Sequence, residues 1–449
     1  MANLSQSTET IVALATPPGR SAIAVIRLNG PQALTLLTSL TSIKALTPRR
    51  ATLLQLVAHE KKLDEVLATY FPQPHSYTGE DVIEISSHGN PLIVNHIIQA
   101  LLQQGARLAR PDEFTQRAFC NGRMDLTQAE SVMELIAAHS DAAIQSALAT
   151  REGKLRQQIE TLRNDLVHAL AHLEAYIDFP DEDISPKTHQ QLNQQLSHQI
   201  QTIKTLLATA QSGKLIREGI RTALVGLPNA GKSSLLNALV EKERAIVTEI
   251  PGTTRDTIEE WIQIHGIPFH LIDTAGIREA TEKIEQEGIR RSRQALESAE
   301  IILHIIDLSQ PWSKENEKLA SAYDAKRAIL IGNKNDLPEH HTITSQKLPL
   351  LKISTKTGEG LTTLKEKLFQ KAGVTLSENE ITINLRHHDC LMRALPSLQR
   401  AIEGLKNQLP SELISIELRD ALVALTEIIG ITSNEEVLDQ LFQTFCLGK

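Results

Sequence analysis

Residues 226–233 read Gly-Leu-Pro-Asn-Ala-Gly-Lys-Ser, a complete G-x-x-x-x-G-K-S loop. The pattern demands a strand before it and a helix after it, because the loop grips phosphate only when both ends are held. The apolar run Thr222–Val225 precedes it and the helix-like Ser234-Leu-Leu-Asn-Ala-Leu239 follows. Gly226 and Gly231 let the backbone turn so that successive N–H groups point inward. The helix adds its positive N-terminal end. The candidate phosphate contacts are Asn229, Ala230, Gly231, Lys232, Ser233 and Ser234. Lys232 is expected to reach the β- and γ-phosphates and Ser233 to ligate Mg²⁺.

Further parts of a nucleotide site follow in order. Asp273-Thr274-Ala275-Gly276 closes the apolar stretch Phe269–Ile272. An Asp there holds the Mg²⁺ shell, and the glycine N–H meets a γ-phosphate. Asn333-Lys334-Asn335-Asp336 closes a second stretch, Ala328–Ile331. The Asp336 carboxylate matches the two N–H donors of a guanine edge, which adenine lacks, and Asn333 is placed to brace the loop. Asp336 before Leu337-Pro338 also reads as a helix N-cap. Three motifs in order, each after an expected strand, favour GTP. Ser354-Thr355-Lys356 offers a guanine-side loop, with Ser354 the candidate contact.

Many GTPases place a water-orienting Gln directly after the Asp-x-x-Gly motif. Here that residue is Ile277. Either hydrolysis is slow or another group supplies the function. The charged stretch 278–287 carries Glu279, Glu282, Glu285 and Glu287. A mobile loop can swing one of them toward the water; a solvated helix start is the alternative. Between Ala245 and Asp256 a Gly/Thr-rich loop occupies the switch I position. Thr254 suits Mg²⁺ there and Thr253 a monovalent ion. Asn229 reads equally as a carboxamide ligand for that ion or as a turn residue after Pro228. A K⁺ between α- and γ-phosphates would put charge where an arginine finger otherwise acts.

Length and composition bound the rest. With 449 residues, 41% of them apolar, the chain is expected to hold roughly two to four domains. No run approaches the roughly 18 uncharged apolar residues of a membrane span. Met1-Ala-Asn-Leu-Ser5 lacks a basic segment followed by an apolar core, so a cytoplasmic location is expected. Cys120, Cys390 and Cys446 are far apart, with no C-x-x-C, which fits a reducing compartment. In Arg386-His387-His388-Asp389-Cys390 adjacent side chains diverge around a helix, so a polar helix start is expected rather than zinc. A net charge of −8 confines any nucleic-acid contact to a local basic patch.

Along the chain, Ile11–Ala15, Ile23–Leu28 and Val82–Ser86 read as strands and Pro91–Leu102 as a helix. From Leu126 helical patterns run to about Asp178 and again from about Ser185 to Ile216, parted by the charged break Asp178-Phe-Pro-Asp-Glu-Asp183. Helices are expected again over Asp389–Asn407, Ile414–Ile429 and Glu435–Phe445. The expected fold class is α/β plus all-α. An N-terminal α/β domain spans 1–119, a discontinuous helical domain 120–216 and 376–449, and an inserted Ras-like P-loop domain 217–375. The two helical stretches are expected to pack together, since a three-helix tail is a small core alone.

Thr16-Pro-Pro-Gly-Arg20, Tyr77-Thr-Gly-Glu-Asp81, His88-Gly89, Arg110-Pro-Asp-Glu-Phe114, Asp178-Phe-Pro-Asp181, Gly252-Thr-Thr-Arg-Asp256 and Cys446-Leu-Gly-Lys449 occur in this order. With the nucleotide motifs, they resemble the bacterial tRNA-modifying GTPase family MnmE, also called TrmE, over essentially the whole chain. The resemblance implies a folate-binding-like N-terminal domain that mediates homodimerisation. It implies potassium-activated GTP hydrolysis, with G domains that meet across the nucleotide and separate again. It also implies partnership with the flavoprotein MnmG (GidA) on tRNA. The pair would install an aminomethyl or carboxymethylaminomethyl group at C5 of the wobble uridine, U34. The one-carbon unit would come from 5-formyltetrahydrofolate or a related folate.

By the same resemblance, Arg27, Glu84 and Lys449 fall where folate contacts lie, with Arg123 where the family often has Lys. Asn229, Thr248, Ile250 and Thr253 match potassium positions, Thr248 and Ile250 through backbone oxygens. Glu285 matches the water-orienting Glu. Cys446 is a candidate for chemistry on the uridine or a tail thiol needed for folding or folate-site shape. Two rival classes remain. A ribosome-assembly GTPase predicts rRNA binding and no need for folate, and residues 1–119 and the tail argue against it. A pure interaction switch predicts slow hydrolysis until a partner stimulates it.

Overall fold

The computed structural model describes residues 9–178, 189–243, 259–273, 296–340, 349–373 and 381–431. Two compact units divide the chain, one of residues 1–133, 150–197 and 393–449, the other of 134–149 and 198–392.

Period-two alternation builds the sheet of the first unit. Its strands are β1 (Ile11–Leu14), β2 (Ser21–Asn29), β3 (Thr52–Ala58), β4 (Lys61–Phe71), β5 (Val82–Gly89) and β6 (Arg107–Leu108), in the order β3-β4-β5-β2-β1-β6. Neighbours are antiparallel except β1 and β6. One face supplies Ile26, Leu28, Leu56, Ile83 and Ile85 to a core shared with α1 (Ala33–Ser39) and α2 (Pro91–Gln103). Asn90 starts α2 by accepting the Leu92 N–H, with Pro91 at the first helical position. β3 and β4 are not among the expected strands. They join through His59-Glu60, both at positive φ (49° and 62°), a hairpin geometry that Asn or Gly normally signals.

The Arg110–Phe114 motif opens α3 (Glu113–Cys120). The Glu113 side chain is 3% exposed and meets Arg107 at 2.7 Å and Arg117 at 3.1 Å. It also accepts the Arg110 N–H at 2.8 Å. Burial alone would raise its pKa. The bonds from Arg107 and Arg110, with the charges of Arg117 and Arg107, outweigh burial and hold the carboxyl at about 2. A depressed carboxyl contributes stability above its unfolded pKa and loses it as pH falls through the folded value. The network therefore weakens from about pH 4.5 down to about 2. Glu113→Gln is expected to cost about 3 kcal/mol, because buried Arg117 loses a counter-charge. Urea denaturation of the full chain at neutral pH checks this; an unchanged first transition means the network is neutral.

Helices follow: α4 (Leu126–Ile136), α5 (Asp141–Arg151), α6 (Lys154–Asp178) and α7 (His189–Glu218). Then come β7 (Ile220–Val225), α8 (Lys232–Glu243), β8 (Glu259–Ile264), β9 (Ile267–Asp273), β10 (Ile301–Asp307), α9 (Lys314–Ala320), β11 (Ala328–Asn333), β12 (Leu350–Lys352) and α10 (Leu361–Ala372). After them run α11 (Leu385–Lys406) and α12 (Ser411–Ile428). In the first unit α6 packs on α12, with Arg419 paired to Glu174 at 2.6 Å. The expected helix Glu435–Phe445 lies outside the described residues. No helix among the described residues is long and apolar enough to cross a membrane.

The sheet of the second unit runs β12-β11-β10-β7-β9-β8, parallel except for β8. Parallel strands are covered on both faces, so β10 and β11 are buried almost throughout and mostly apolar, with His304 the one polar residue inside β10. Residues 134–149 belong to this unit, and Ser146 shares a 2.6 Å hydrogen bond with Thr382. Asn384 caps α11 reciprocally: its Oδ1 accepts the His387 N–H, and its N–H donates to His387 Nδ1. The 386–390 cluster is thus a helix start.

Candidate nucleotide-binding site

β7, β9, β10, β11 and β12 end at one edge of their sheet, where an open α/β sheet binds ligands. The loop 226–231 leaves β7 there and enters α8. Its close turn depends on two glycines. A Cβ on Gly226 would stand 2.2 Å from the Ile305 carbonyl oxygen, and one on Gly231 would stand 2.1 Å from Asn333 Nδ2. Asn229 is exposed at φ 63°, the left-handed region that asparagine tolerates. Lys232 is buried, and its ammonium donates to the Gly226 and Leu227 carbonyls at 2.8 and 2.9 Å. Ala230 is buried beneath the loop, while Ser233 and Ser234 stand exposed at the start of α8.

The Ser233 hydroxyl donates to Asp273 Oδ2 at 3.2 Å. Two hard oxygen donors therefore meet at the N-terminus of α8, a donor set that fits Mg²⁺. At the end of β11, Asn333 braces the loops around it. Its Nδ2 donates to the Ala230 carbonyl at 3.1 Å, and its Oδ1 accepts the Thr355 N–H at 3.1 Å. One carboxamide thus ties the phosphate loop to the 354–357 loop. Ser354 is buried and donates its hydroxyl to Asp336 Oδ1 at 2.7 Å. That bond is the main cause holding the Asp336 carboxyl below its ordinary value.

Sequence reasoning passes over Asp307, which ends β10 as Asp273 ends β9. The signal was there: an apolar strand closed by an Asp. Lys334, at φ 65°, donates to Asp307 Oδ2 at 2.6 Å. Burial alone would raise the Asp307 pKa; hydrogen bonds from Lys334 and Ser309 lower it below the ordinary value. A cavity of about 410 Å³ opens here, lined by Leu227, Pro228, Asn229, Asp307, Trp312 and Lys334 among others. His304 of β10 lies fully buried, its Nδ1 2.5 Å from the Tyr323 hydroxyl. Burial pushes its pKa down to about 4.

In the first unit, Arg27 and Glu84 are register partners on β2 and β5, bridged at 2.7 Å. The Arg27 guanidinium also lies 5.4 Å from the Tyr77 ring centroid and 5.5 Å from that of Phe114. Arg123 runs its Cγ against Gly79, where an added Cβ would come within 3.2 Å. Thr248, Ile250, Thr253, Thr254, Thr274, Ala275, Gly276, Glu285, Cys446 and Lys449 lie outside the described residues.

Asp336 stands as a carboxylate held by the Ser354 hydroxyl, and Lys232 lies buried against the Gly226 and Leu227 carbonyls of the loop. These features, on a parallel sheet, define the second unit as a P-loop GTPase. The family profile described as MnmE helical domain matches residues 126–446. The profile described as GTP-binding protein TrmE N-terminus matches residues 10–123. The tRNA modification GTPase MnmE of Akkermansia muciniphila is 46% identical over 448 residues, covering 98% of this chain and 99% of that protein. Proteins of the same name from Aquifex aeolicus and Bacillus subtilis are 43% and 40% identical, each over 98% of this chain and 100% of the relative. The chain belongs to the MnmE family.

Proposed function

We propose that this chain is a GTP hydrolase of tRNA modification, in which hydrolysis opens and closes paired G domains. The observation that carries the reading is the Asp336–Ser354 pair beside a complete phosphate loop, in a chain matched along its length by tRNA modification GTPases. Lys232 meets the β- and γ-phosphates, Ser233 and Thr254 hold Mg²⁺, and Asp273 orders its shell. Bound there, Mg²⁺ neutralises charge on the phosphates. Ile277 cannot orient water, so Glu285 takes that role. Asn229, Thr248, Ile250 and Thr253 hold K⁺.

In the same proposal, residues 1–119 bind 5-formyltetrahydrofolate or a related folate and pair two copies of the chain. Arg27, Glu84, Arg123 and Lys449 are the folate contacts. Glu84 is a partly exposed carboxylate on a sheet face, which suits the amidine-like edge of a pterin. The helical stretches 120–216 and 376–449 pass the movement of residues 217–375 to that site. With MnmG (GidA), the chain adds an aminomethyl or carboxymethylaminomethyl group to C5 of U34 in the cytoplasm. Cys446 acts on the uridine or shapes the folate site.

Mass spectrometry of wobble-uridine nucleosides tests the reading in cells lacking the chain. The C5 groups should vanish, return with the wild-type chain and stay absent with Asp273→Ala. An unchanged nucleoside profile overturns the tRNA role and brings ribosome assembly forward. The potassium assignment has its own test. Asn229→Ala is expected to lower K⁺-stimulated turnover about tenfold, to the rate seen in Na⁺, since a fixed charge at the phosphates is lost. A retained K⁺ preference removes Asn229 from the ion site.

A further inference from the structure

Three rings are stacked in the nucleotide unit, away from the phosphate loop. Trp261 of β8 lies between His139, in the turn from α4 to α5, and His270 of β9. The centroid separations are 4.0 and 4.6 Å, and the interplanar angles 15° and 11°. The backbone makes room for the indole: Gly219 sits at φ 70°, and a Cβ there would stand 2.4 Å from Trp261 Cζ3. Burial, then the neighbouring His270, lower the His139 pKa, so the ring stacks as neutral imidazole.

Two other kinds of contact run alongside. Gln263 Nε2 of β8 donates to Asp141 Oδ2 of α5 at 2.9 Å. Ala143 shares a buried cluster with Ile262, Ile264, Ile267 and Phe269, and Ala138 and Ala142 pack against it. The β8–β9 hairpin is thus fastened to residues 138–143 by stacking, hydrogen bonding and burial.

The place of attachment matters. Asp273, which accepts the Ser233 hydroxyl, ends β9 three residues beyond His270. Three strand residues span about 10 Å. β8 begins directly after residues 244–258, the stretch that carries Thr248, Thr253 and Thr254. Both strands of the hairpin therefore lead to segments assigned to the nucleotide.

We propose that His139 and Trp261 are positioning residues for GTP hydrolysis. Their stack fixes the hairpin that carries Asp273, and it makes residues 134–149 the helical segment that follows the state of the nucleotide. The proposal rests on the GTPase reading above. The rings come from two strands and the α4–α5 connection rather than from the phosphate loop, so their loss falls on turnover more than on binding.

The test uses the full-length chain. It has two tryptophans, so wild-type emission minus that of Trp261→Phe isolates Trp261. Trp261 emission is expected to differ between GDP and a non-hydrolysable GTP analogue. His139→Ala should abolish that difference and lower kcat roughly tenfold, with KM for GTP within about twofold. His139→Tyr keeps a ring on the indole and should restore both. An emission blind to the nucleotide overturns the proposal, as does wild-type kcat in His139→Ala. So does a loss of GTP binding that His139→Tyr leaves unrepaired, which marks a purely structural role. A wild-type chain that binds GTP without hydrolysing it, alone or with tRNA, would instead sink the GTPase reading.

Discussion

Asp336→Asn is expected to shift the preferred nucleotide from GTP to xanthosine triphosphate. Guanine offers two N–H donors on one edge, and the Asp336 carboxylate offers two acceptor oxygens. The Ser354 hydroxyl, 2.7 Å from Oδ1, fixes the orientation and favours the charged form. An asparagine turns one acceptor into a donor, which faces a guanine N–H with no partner. A site built to satisfy a polar edge rejects the wrong edge strongly. GTP affinity should therefore fall by about a hundredfold or more. Xanthine carries an oxygen where guanine carries its amine, so binding should recover with that base. Displacement of a fluorescent nucleotide reads both affinities. Unaltered preference for GTP would mean that Asp336 does not read the base.

The second large effect is expected from Lys232→Ala. Lys232 is buried under the loop, and its ammonium lies against the Gly226 and Leu227 carbonyls. A charge held in a dry, ordered place acts strongly on phosphate, so its removal should weaken GTP binding by about a hundredfold or more. Lys232→Arg should not rescue it. The flat guanidinium is wider than the ammonium and cannot occupy the same space under the loop. Isothermal titration with GTP and Mg²⁺ measures both variants. Wild-type affinity in the arginine variant would show that any cation suffices there.

What was legible in the sequence was local. The 226–233 loop, Asp273 and the 333–336 tetrad each depend on a strand end and a few following residues, and a short window contains that information. The joints between motifs were harder to read. Asn333 was expected to brace a loop, but its two partners, Ala230 and Thr355, emerge only when β7, β11 and β12 are aligned. The strands β3 and β4 escaped because His59-Glu60 adopts positive φ without the residues that advertise it. Glu113 and Arg117 lie in or just beyond a family-marking motif, yet their first visible role is a buried charge network. His139 gave no sign at all, since its partner Trp261 stands more than a hundred residues away, beyond the phosphate loop.

At Lys334 the backbone and the side chain make opposite demands. Its φ of 65° is a shape that glycine adopts freely and that a lysine adopts at a cost of about 1 kcal/mol. Glycine there would relax the turn, but it would release Asp307 from its ammonium clasp. Lineages pushed toward hotter habitats gain from each such relaxation until a working site gives way. Heat tolerance and the hold on Asp307 are in opposition at this single position. A thermal selection on this chain should reveal the conflict as repeated appearance of Lys334→Gly, each time followed by compensating change near Asp307.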